Sequence, residues 1–274
     1  TKDEVLKYIE KKELLFIPGS NTAYSNIGYY LLARIIEQSS GESYAEYLEQ
    51  NIFKKTNMNN TGVTNNTELI NKRAKNYIVT DNIYSNNPYI NWTYNIGHDG
   101  IYSTVEDLAL WDNQLYGTTI LSEEMKRLMF RSYNDQNFGY GFLINPFYNL
   151  GHQLIAHDGG FYGAITSLNR FTDDRLFVTV LSNNQSPSHI ISYGLSAIVF
   201  GKEVELPYKH LQIEADTTMF DKLAGQYGPV EILKIDGRLY YNSKETELLS
   251  ESKTKFFRAD NHHRIVEFIT NNSG

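Results

Sequence analysis

Tyr24 and Asn26 flank Ser25, shortly after a Pro18-Gly19 pair and immediately before a long apolar run. Pro-Gly marks a turn. From there Ile27, Tyr30, Leu31 and Ile35 recur at helical spacing, Leu32 and Ile36 widen the apolar face, and Gly41 ends the run. The spacing predicts a buried helix over residues 27–40, with Tyr24 and Asn26 in the loop that enters it. A phenol and a carboxamide are thereby fixed at one point. The phenol can exchange a proton, and the carboxamide both donates and accepts hydrogen bonds. Tyr84-Ser85-Asn86, Tyr89-Ile90-Asn91 and Tyr240-Tyr241-Asn242 repeat the tripeptide but have neither the Pro-Gly pair before them nor an apolar helix after them.

The second group able to do chemistry is Ala156-His157-Asp158-Gly159-Gly160. It follows Leu154-Ile155 and precedes Ala164-Ile165-Thr166-Ser167-Leu168, which reads as a strand, a Gly-rich crossing and another strand. Gly97-His98-Asp99-Gly100 carries the same triplet in another setting. Ser103-Thr104-Val105-Glu106 comes after it and reads as a capping box. Val105, Leu108, Trp111 and Leu115 then give a helical face that Gly117 closes. The first triplet is read as structural and the second as the site. No ligand spacing joins His98, His152 and His157 into a metal site, and His262-His263 read as turn residues.

In this order the segments resemble the serine β-lactamase and penicillin-binding-protein-like family, in its class C branch. Pro18-Gly19 with Tyr24-Ser25-Asn26 matches the family's Tyr-x-Asn segment. His157-Asp158-Gly159 matches the His-x-Gly form of its Lys-Thr-Gly triplet, with Asp158 where Thr or Ser is usual. That carboxylate would repel a substrate carboxylate. Ser39-Ser40-Gly41-Glu42-Ser43-Tyr44 leads into a helix with Tyr44, Leu48 and Ile52, and Lys55-Thr56-Asn57-Met58 with Thr61 resembles the family's segment after that helix. Gly139-Tyr140-Gly141 also matches, with Phe138 in place of the usual tyrosine. The segment from Arg175 to Asn183 resembles the penultimate strand, and its near-continuous apolar character predicts cover on both faces. The segment from Ser188 to Phe200, with Ile191, Leu195, Ile198 and Val199, resembles the closing helix.

The resemblance covers residues 1–206. It implies an α+β fold in which helices flank an antiparallel sheet, incomplete at its N-terminal side and continued by a small antiparallel β extension. It also implies acyl transfer through a serine acyl-enzyme on a D-Ala-D-Ala-type peptide, a β-lactam or a small ester. Tyr24 would share the base role with a lysine, Asn26 would hold the substrate amide, and His157 would support Tyr24 when protonated. A free phenol loses its proton only near pH 10, so Tyr24 needs positive neighbours to act. Asp158, Gly159 and Gly160 would line the substrate, with the Gly160 N–H as an oxyanion donor. No cofactor and no metal is implied.

The family's nucleophile belongs to a Ser-x-x-Lys motif ahead of the Tyr-x-Asn segment, and nothing before Tyr24 matches. Ser250-Glu251-Ser252-Lys253 and Ser252-Lys253-Thr254-Lys255 match late, with no apolar helix after them, and are rejected. Three readings stay open: a product of cleavage or an incomplete chain, a domain completed by another segment or chain, or a relative that only binds or senses cell-wall peptide.

Composition bounds these readings. A net charge of −7 over 274 residues leaves no basic stripe for nucleic acid. The absence of cysteine rules out disulfides and thiolate metal sites. No run is long and apolar enough to span a membrane, and the resemblance implies a bacterial extracellular or cell-surface setting. Residues 207–220 read as a linker. Residues 221–274 read as a meander of short strands with a hairpin at Asp236-Gly237, resembling the lipocalin-like extension of some relatives. The Asn-rich stretch over residues 57–95 predicts an irregular excursion at the rim of the site. Tyr84, Tyr89 and Tyr240 are expected to be dispensable. In the full-length enzyme, Phe at each should leave hydrolysis of a reporter ester nearly unchanged; a loss at any one equal to that of Tyr24→Phe would overturn the assignment.

Overall fold

The computed structural model describes residues 2–80, 83–133, 137–204, 210–260 and 264–269. The chain divides into two units, Thr1–Glu203 and Val204–Gly274. The first opens with helices α1 (Lys2–Glu10), α2 (Asn26–Ser40) and α3 (Tyr44–Leu48), the last running into a π-helical turn, Glu49–Phe53. Short strands β1 (Gly62–Val63), β2 (Tyr77–Thr80) and β3 (Ile83–Asn86) come next, then a 3-10 turn, Trp92–Tyr94, and β4 (Ile101–Tyr102). Helices α4 (Val105–Gln114) and α5 (Glu123–Met129) precede β5 (Leu143–Ile144), β6 (Leu154–Phe161), β7 (Ala164–Phe171) and β8 (Leu176–Ser182). Helix α6 (Ser188–Val199) ends the unit. Helices and antiparallel sheets thus make the α+β class that the sequence predicts.

Helix α2 starts where its cap chemistry dictates. The Ser25 hydroxyl accepts from Gly28 N, and Gly41 takes the left-handed conformation that closes the last turn. Asn26 is therefore the first helical residue and lies just past the entry loop expected for it. The helix is also less buried than its pattern predicts. Tyr30 and Ala33 pack with Tyr44, Leu48, Phe53, Met58 and Ile96, while Ile27, Leu32 and Ile35 are exposed. Gly97 lies so close to Tyr29 O that any side chain there would collide with it. That contact and its positive φ explain the glycine of the first triplet. The cap of α4 is Thr104, whose hydroxyl accepts from Asp107 N, and not the Ser103-to-Glu106 box. Asp107 is buried instead, accepting from Asn60 N and Thr61 Oγ1.

The main sheet has the order β5-β6-β7-β8 and is antiparallel throughout. β6 pairs with β7 from Leu154↔Phe171 to Phe161↔Ala164. The expected Gly-rich crossing is therefore strand, and the reversal falls at Tyr162-Gly163. Side chains alternate between the two faces. On one face Leu154, Ala156 and Phe171 pack with Leu176 and Phe200. On the other, Ile155 packs with Leu115, Phe142, Ile144 and Leu168.

Helix α6 lies on the first face, and with the opposite stripe from the one its hydropathy predicts. Ser188, Ser192 and Ser196 are 0% exposed, whereas Ile198 and Val199 are 52% and 62% exposed. The serines are small, so the helix approaches the sheet closely, and their hydroxyls have partners. Ser188 Oγ donates to Ile165 O, Ser196 Oγ donates to Ser192 O, and Ser192 Oγ contacts Ser167 Oγ at 2.8 Å. β8 is likewise less covered than predicted: Val178 is buried but Leu181 is exposed. It is the edge strand of the described sheet.

In the second unit a 3-10 turn, Thr217–Met219, runs into α7 (Phe220–Leu223), then β9 (Gly225–Tyr227), β10 (Val230–Ile235), β11 (Arg238–Tyr241), β12 (Glu247–Ser250), β13 (Lys255–Arg258) and β14 (Ile265–Glu267). They form a six-stranded meander in sequence order. Asp236 and Gly237 both have positive φ between Ile235 and Arg238, as a two-residue hairpin turn requires. Phe220, Leu223, Ile232, Leu239, Leu248 and Phe256 fill the core. Phe220, the last residue assigned to the linker, is thus a core residue of this unit. Residues 205–209, where the linker was expected to begin, and His262-His263 lie outside the described residues.

The Arg170 side chain, 1% exposed, bonds to Asp112 and ties β7 to α4. Removing one partner of a buried ion pair leaves a desolvated charge. Asp112→Ala should destabilise the protein by about 3–5 kcal/mol in chemical denaturation. Lys234→Ala, which breaks the solvent-facing Lys234–Asp221 pair, should cost no more than about 1 kcal/mol.

Candidate active site

The site is built on the free side of β6. Asn145 N donates to Leu154 O at 2.7 Å, and Leu154 N donates to Asn145 Oδ1 at 2.8 Å, both on the β5 side. In an antiparallel strand the N–H and C=O of one residue point to the same side, and the side alternates along the strand. Asp158 and Gly160 therefore turn their backbone groups the same way as Leu154, away from β7. β5 pairs only with Ile155 and Ala156. Beyond Ala156 the described sheet leaves this edge unpaired, so Gly160 N–H and Asp158 C=O face outward.

His157 uses that carbonyl. Its Nδ1 lies 2.6 Å from Asp158 O. A carbonyl only accepts, so Nδ1 carries the proton and the neutral ring has its lone pair on Nε2. The Tyr24 ring stands beside it, with centroids 6.3 Å apart at 50°. Tyr24 is 55% exposed and packs on Tyr29, whose phenol is raised by burial and then by Tyr24. The structure thus brings Tyr24 and His157 together although they lie 133 positions apart in the chain. Asn26 is exposed at the start of α2 and makes no hydrogen bond to either among the described residues.

The members of the triplet separate by face. Asp158 pairs with Ser167, which is buried against α6, so the carboxylate leaves the strand on the face opposite His157. Its neighbour there is Tyr148, whose phenol is pushed up to about 12 by burial, with the Asp158 charge adding to it. The repulsion expected between Asp158 and a substrate carboxylate is therefore aimed at the wrong side of the sheet. Gly159 lies on the His157 face, and a Cβ there would strike Thr166 Oγ1.

Residues that the motifs did not single out finish the rim. Trp92 of the Asn-rich stretch packs on Phe161 at 5.3 Å, on the same face as His157. The β2–β3 hairpin docks at the end of β8, with Tyr77 N donating to Asn183 O and Val79 N to Gln185 Oε1. A shallow cleft of about 390 Å³ lies at the β6–β7 reversal, lined by Ile78, Phe161, Tyr162, Ile165 and Gln185 around Gly160; Tyr24 and His157 are not among its lining residues. Strand alternation and a Trp ahead of the first triplet were the signals available for these.

His98 and His152 are engaged elsewhere. His98 pairs with Asp99, whose carboxyl is raised by burial against the opposing pull of His98. His152 bonds Asp174 at 2.9 Å and stacks on Phe200. Among the described residues no group of His, Asp or Glu is arranged to hold a metal. The late Ser-x-x-Lys matches lie in the second unit. Ser250 is buried at the end of β12, and the Ser252 hydroxyl accepts from Thr254 N and Lys255 N in a turn. No helix among the described residues is long and apolar enough to cross a membrane.

The chain is similar to several known proteins. A family profile described as Beta-lactamase matches residues 1–194. The chain is 28% identical to penicillin-binding protein 4* of Bacillus subtilis (strain 168), over 88% of this chain and 60% of that protein. It is 31% identical to the D-alanyl-D-alanine-carboxypeptidase/endopeptidase AmpH of Escherichia coli (strain K12), over 42% of this chain and 28% of that one. The octameric penicillin-binding protein homologue from Pyrococcus abyssi superimposes with a TM-score of 0.69 at 26% identity, covering 94% of this chain and 63% of that one. The chain thus spans under two thirds of the length of these relatives. With this profile over most of its length, the chain belongs to the beta-lactamase family, and its relatives include penicillin-binding proteins and a D-alanyl-D-alanine-carboxypeptidase.

Proposed function

We propose that the chain carries the Tyr-x-Asn and His-Asp-Gly parts of a serine acyl-transfer site that acts at the bacterial cell surface. The substrate is a D-Ala-D-Ala-type peptide, a β-lactam or a small ester. The observation that carries this reading is the Tyr24–His157 pair at the unpaired edge of β6. The serine and lysine come from an upstream segment of the same protein or from a complementing chain.

The chemistry derives from the groups in hand. A serine hydroxyl needs a base before it can attack a carbonyl. Tyr24 Oη takes that proton while the lysine holds the phenol in its reactive form. Asn26 holds the substrate amide. As the carbonyl becomes tetrahedral, its oxyanion receives the Gly160 N–H, a donor worth about 3 kcal/mol in the transition state. The carboxypeptidase relative supports a D-alanine-terminated peptide as the substrate class.

The alternative reading is a module that holds cell-wall peptide without cleaving it. Fluorescent penicillin separates the two readings. The full-length protein should be labelled covalently, and an unlabelled protein would leave only the binding module. Residues 1–274 alone should give no adduct by mass spectrometry. In the full-length enzyme Tyr24→Phe should lower kcat by about 10²–10⁴-fold, the usual contribution of general acid–base catalysis, with KM little changed. An unaltered kcat would remove Tyr24 from the mechanism.

A further inference from the structure

Gly160 turns both of its backbone groups, N–H and C=O, to the unpaired side of β6. Two groups of one residue can bond a single partner residue only in an antiparallel pair; in a parallel pair they go to different residues. A substrate residue that gives its carbonyl oxygen to the Gly160 N–H, and its own N–H to the Gly160 carbonyl, therefore runs antiparallel to β6. This fixes the direction. The acyl group, ahead of the scissile carbonyl, extends past Phe161 towards the Tyr162-Gly163 reversal. The leaving group extends the other way, past Gly159 towards His157.

The acyl end thus meets the cleft of about 390 Å³ beside Gly160. That volume is at the small end of the range for small-molecule sites, roughly 300–1,000 Å³. Its walls are Phe161 and Tyr162 at the reversal, Ile165 on β7, Ile78 on β2 and Gln185 after β8. None of these side chains is a carboxylate or a cation. Gln185 Oε1 is already engaged, accepting from Val79 N at 2.5 Å. The walls are also fixed in place. Trp92 packs on Phe161 at 5.3 Å, and Tyr162 O accepts from Asn76 Nδ2 at 3.4 Å.

We propose that this cleft selects the acyl group, taking an uncharged apolar or aromatic substituent ahead of the scissile bond in preference to a charged one. An apolar group seated there leaves water together with Ile78, Phe161 and Ile165. A carboxylate or an ammonium would give up hydration to walls that offer no opposite charge. Arg73 lies over the Trp92 ring, 5.7 Å from its centroid, and does not line the cleft. The inference rests on the acyl-transfer reading and deepens it by naming the class of acyl group.

The test uses the full-length enzyme and peptides that share a D-Ala-D-Ala end and differ only in the N-acyl cap: phenylacetyl, acetyl or succinyl. Each kcat/KM is divided by that of the acetyl peptide, so the chemistry common to all of them cancels. The phenylacetyl ratio should be about 10 to 100, the scale on which an apolar pocket discriminates, and the succinyl ratio no higher than one. Ile78→Ala should bring the phenylacetyl ratio down towards one, and Ile78→Lys should raise succinyl above phenylacetyl. Equilibrium binding of N-phenylacetyl-D-alanine and N-succinyl-D-alanine to the wild-type protein gives the same comparison without turnover or substitution. A phenylacetyl ratio near one overturns the proposal. So does a preference for succinyl in the wild type, which would assign the acyl group to Arg73. Selective binding of the phenylacetyl compound with no hydrolysis of any peptide would instead leave the cleft standing and sink the acyl-transfer reading.

Discussion

The full-length register between β6 and β7 decides what the rest of the first unit can do. One pairing sets the sides and the faces at once. It sends the Gly160 N–H outward, keeps His157 and Gly159 towards Tyr24, and turns Asp158 away. A slip of one residue would exchange these faces, bringing a carboxylate to the site and burying an imidazole against α6. The register is secured by the apolar contacts at the end away from the Tyr162-Gly163 reversal, Leu154 with Phe171 and Ile155 beside Leu168. The chemically useful end thus needs no packing of its own, and glycine there costs the sheet little.

Polar groups hold both covers of that sheet. On one side α6 meets β7 through serine hydroxyls, Ser167 and Asn169. On the other, Arg170 reaches Asp112 on α4, and Tyr116 and Phe130 lie over its guanidinium. Hydrogen bonds contribute only about 1 kcal/mol each, but leaving a buried partner unmet costs more. Such interfaces tolerate few alternative alignments. The helices above the site are located by pairing rules, where purely apolar contacts would permit sliding.

Much of this was legible in the chain, and the failures have a common cause. The helix after Tyr24, the paired strands around His157 and the hairpin at Asp236-Gly237 come from local signals, periodicity and turn residues, and they hold. The faces of α2 and α6 did not. Hydropathy assigns burial by residue type, yet Ser188, Ser192 and Ser196 are buried because of what lies opposite them on β7, which no window of sequence contains. The same limit applies to Asp158. Its charge was readable, but the side of the strand it leaves from depends on register with Ser167. Trp92 and Gln185 at the rim were silent for a similar reason, since each acts through a partner far along the chain.

The docking of the β2–β3 hairpin has a consequence for how the Asn-rich stretch moves. Tyr77 N and Val79 N, on the side of β2 away from β3, are bound by Asn183 O and the Gln185 side chain, and Asn183 Nδ2 returns a bond to Lys75 O. Gly163 at the β6–β7 reversal has no space between it and this strand; a Cβ would lie 2.8 Å from Tyr77 N. Amide exchange at Tyr77 and Val79 thus requires breaking contacts with the end of the main sheet. Local opening free energies track such contacts and not the appearance of a segment as loop. On the timescale of hydrogen exchange the base of this excursion belongs to the sheet, and the wall of the cleft beside Gly160 inherits the sheet's rigidity.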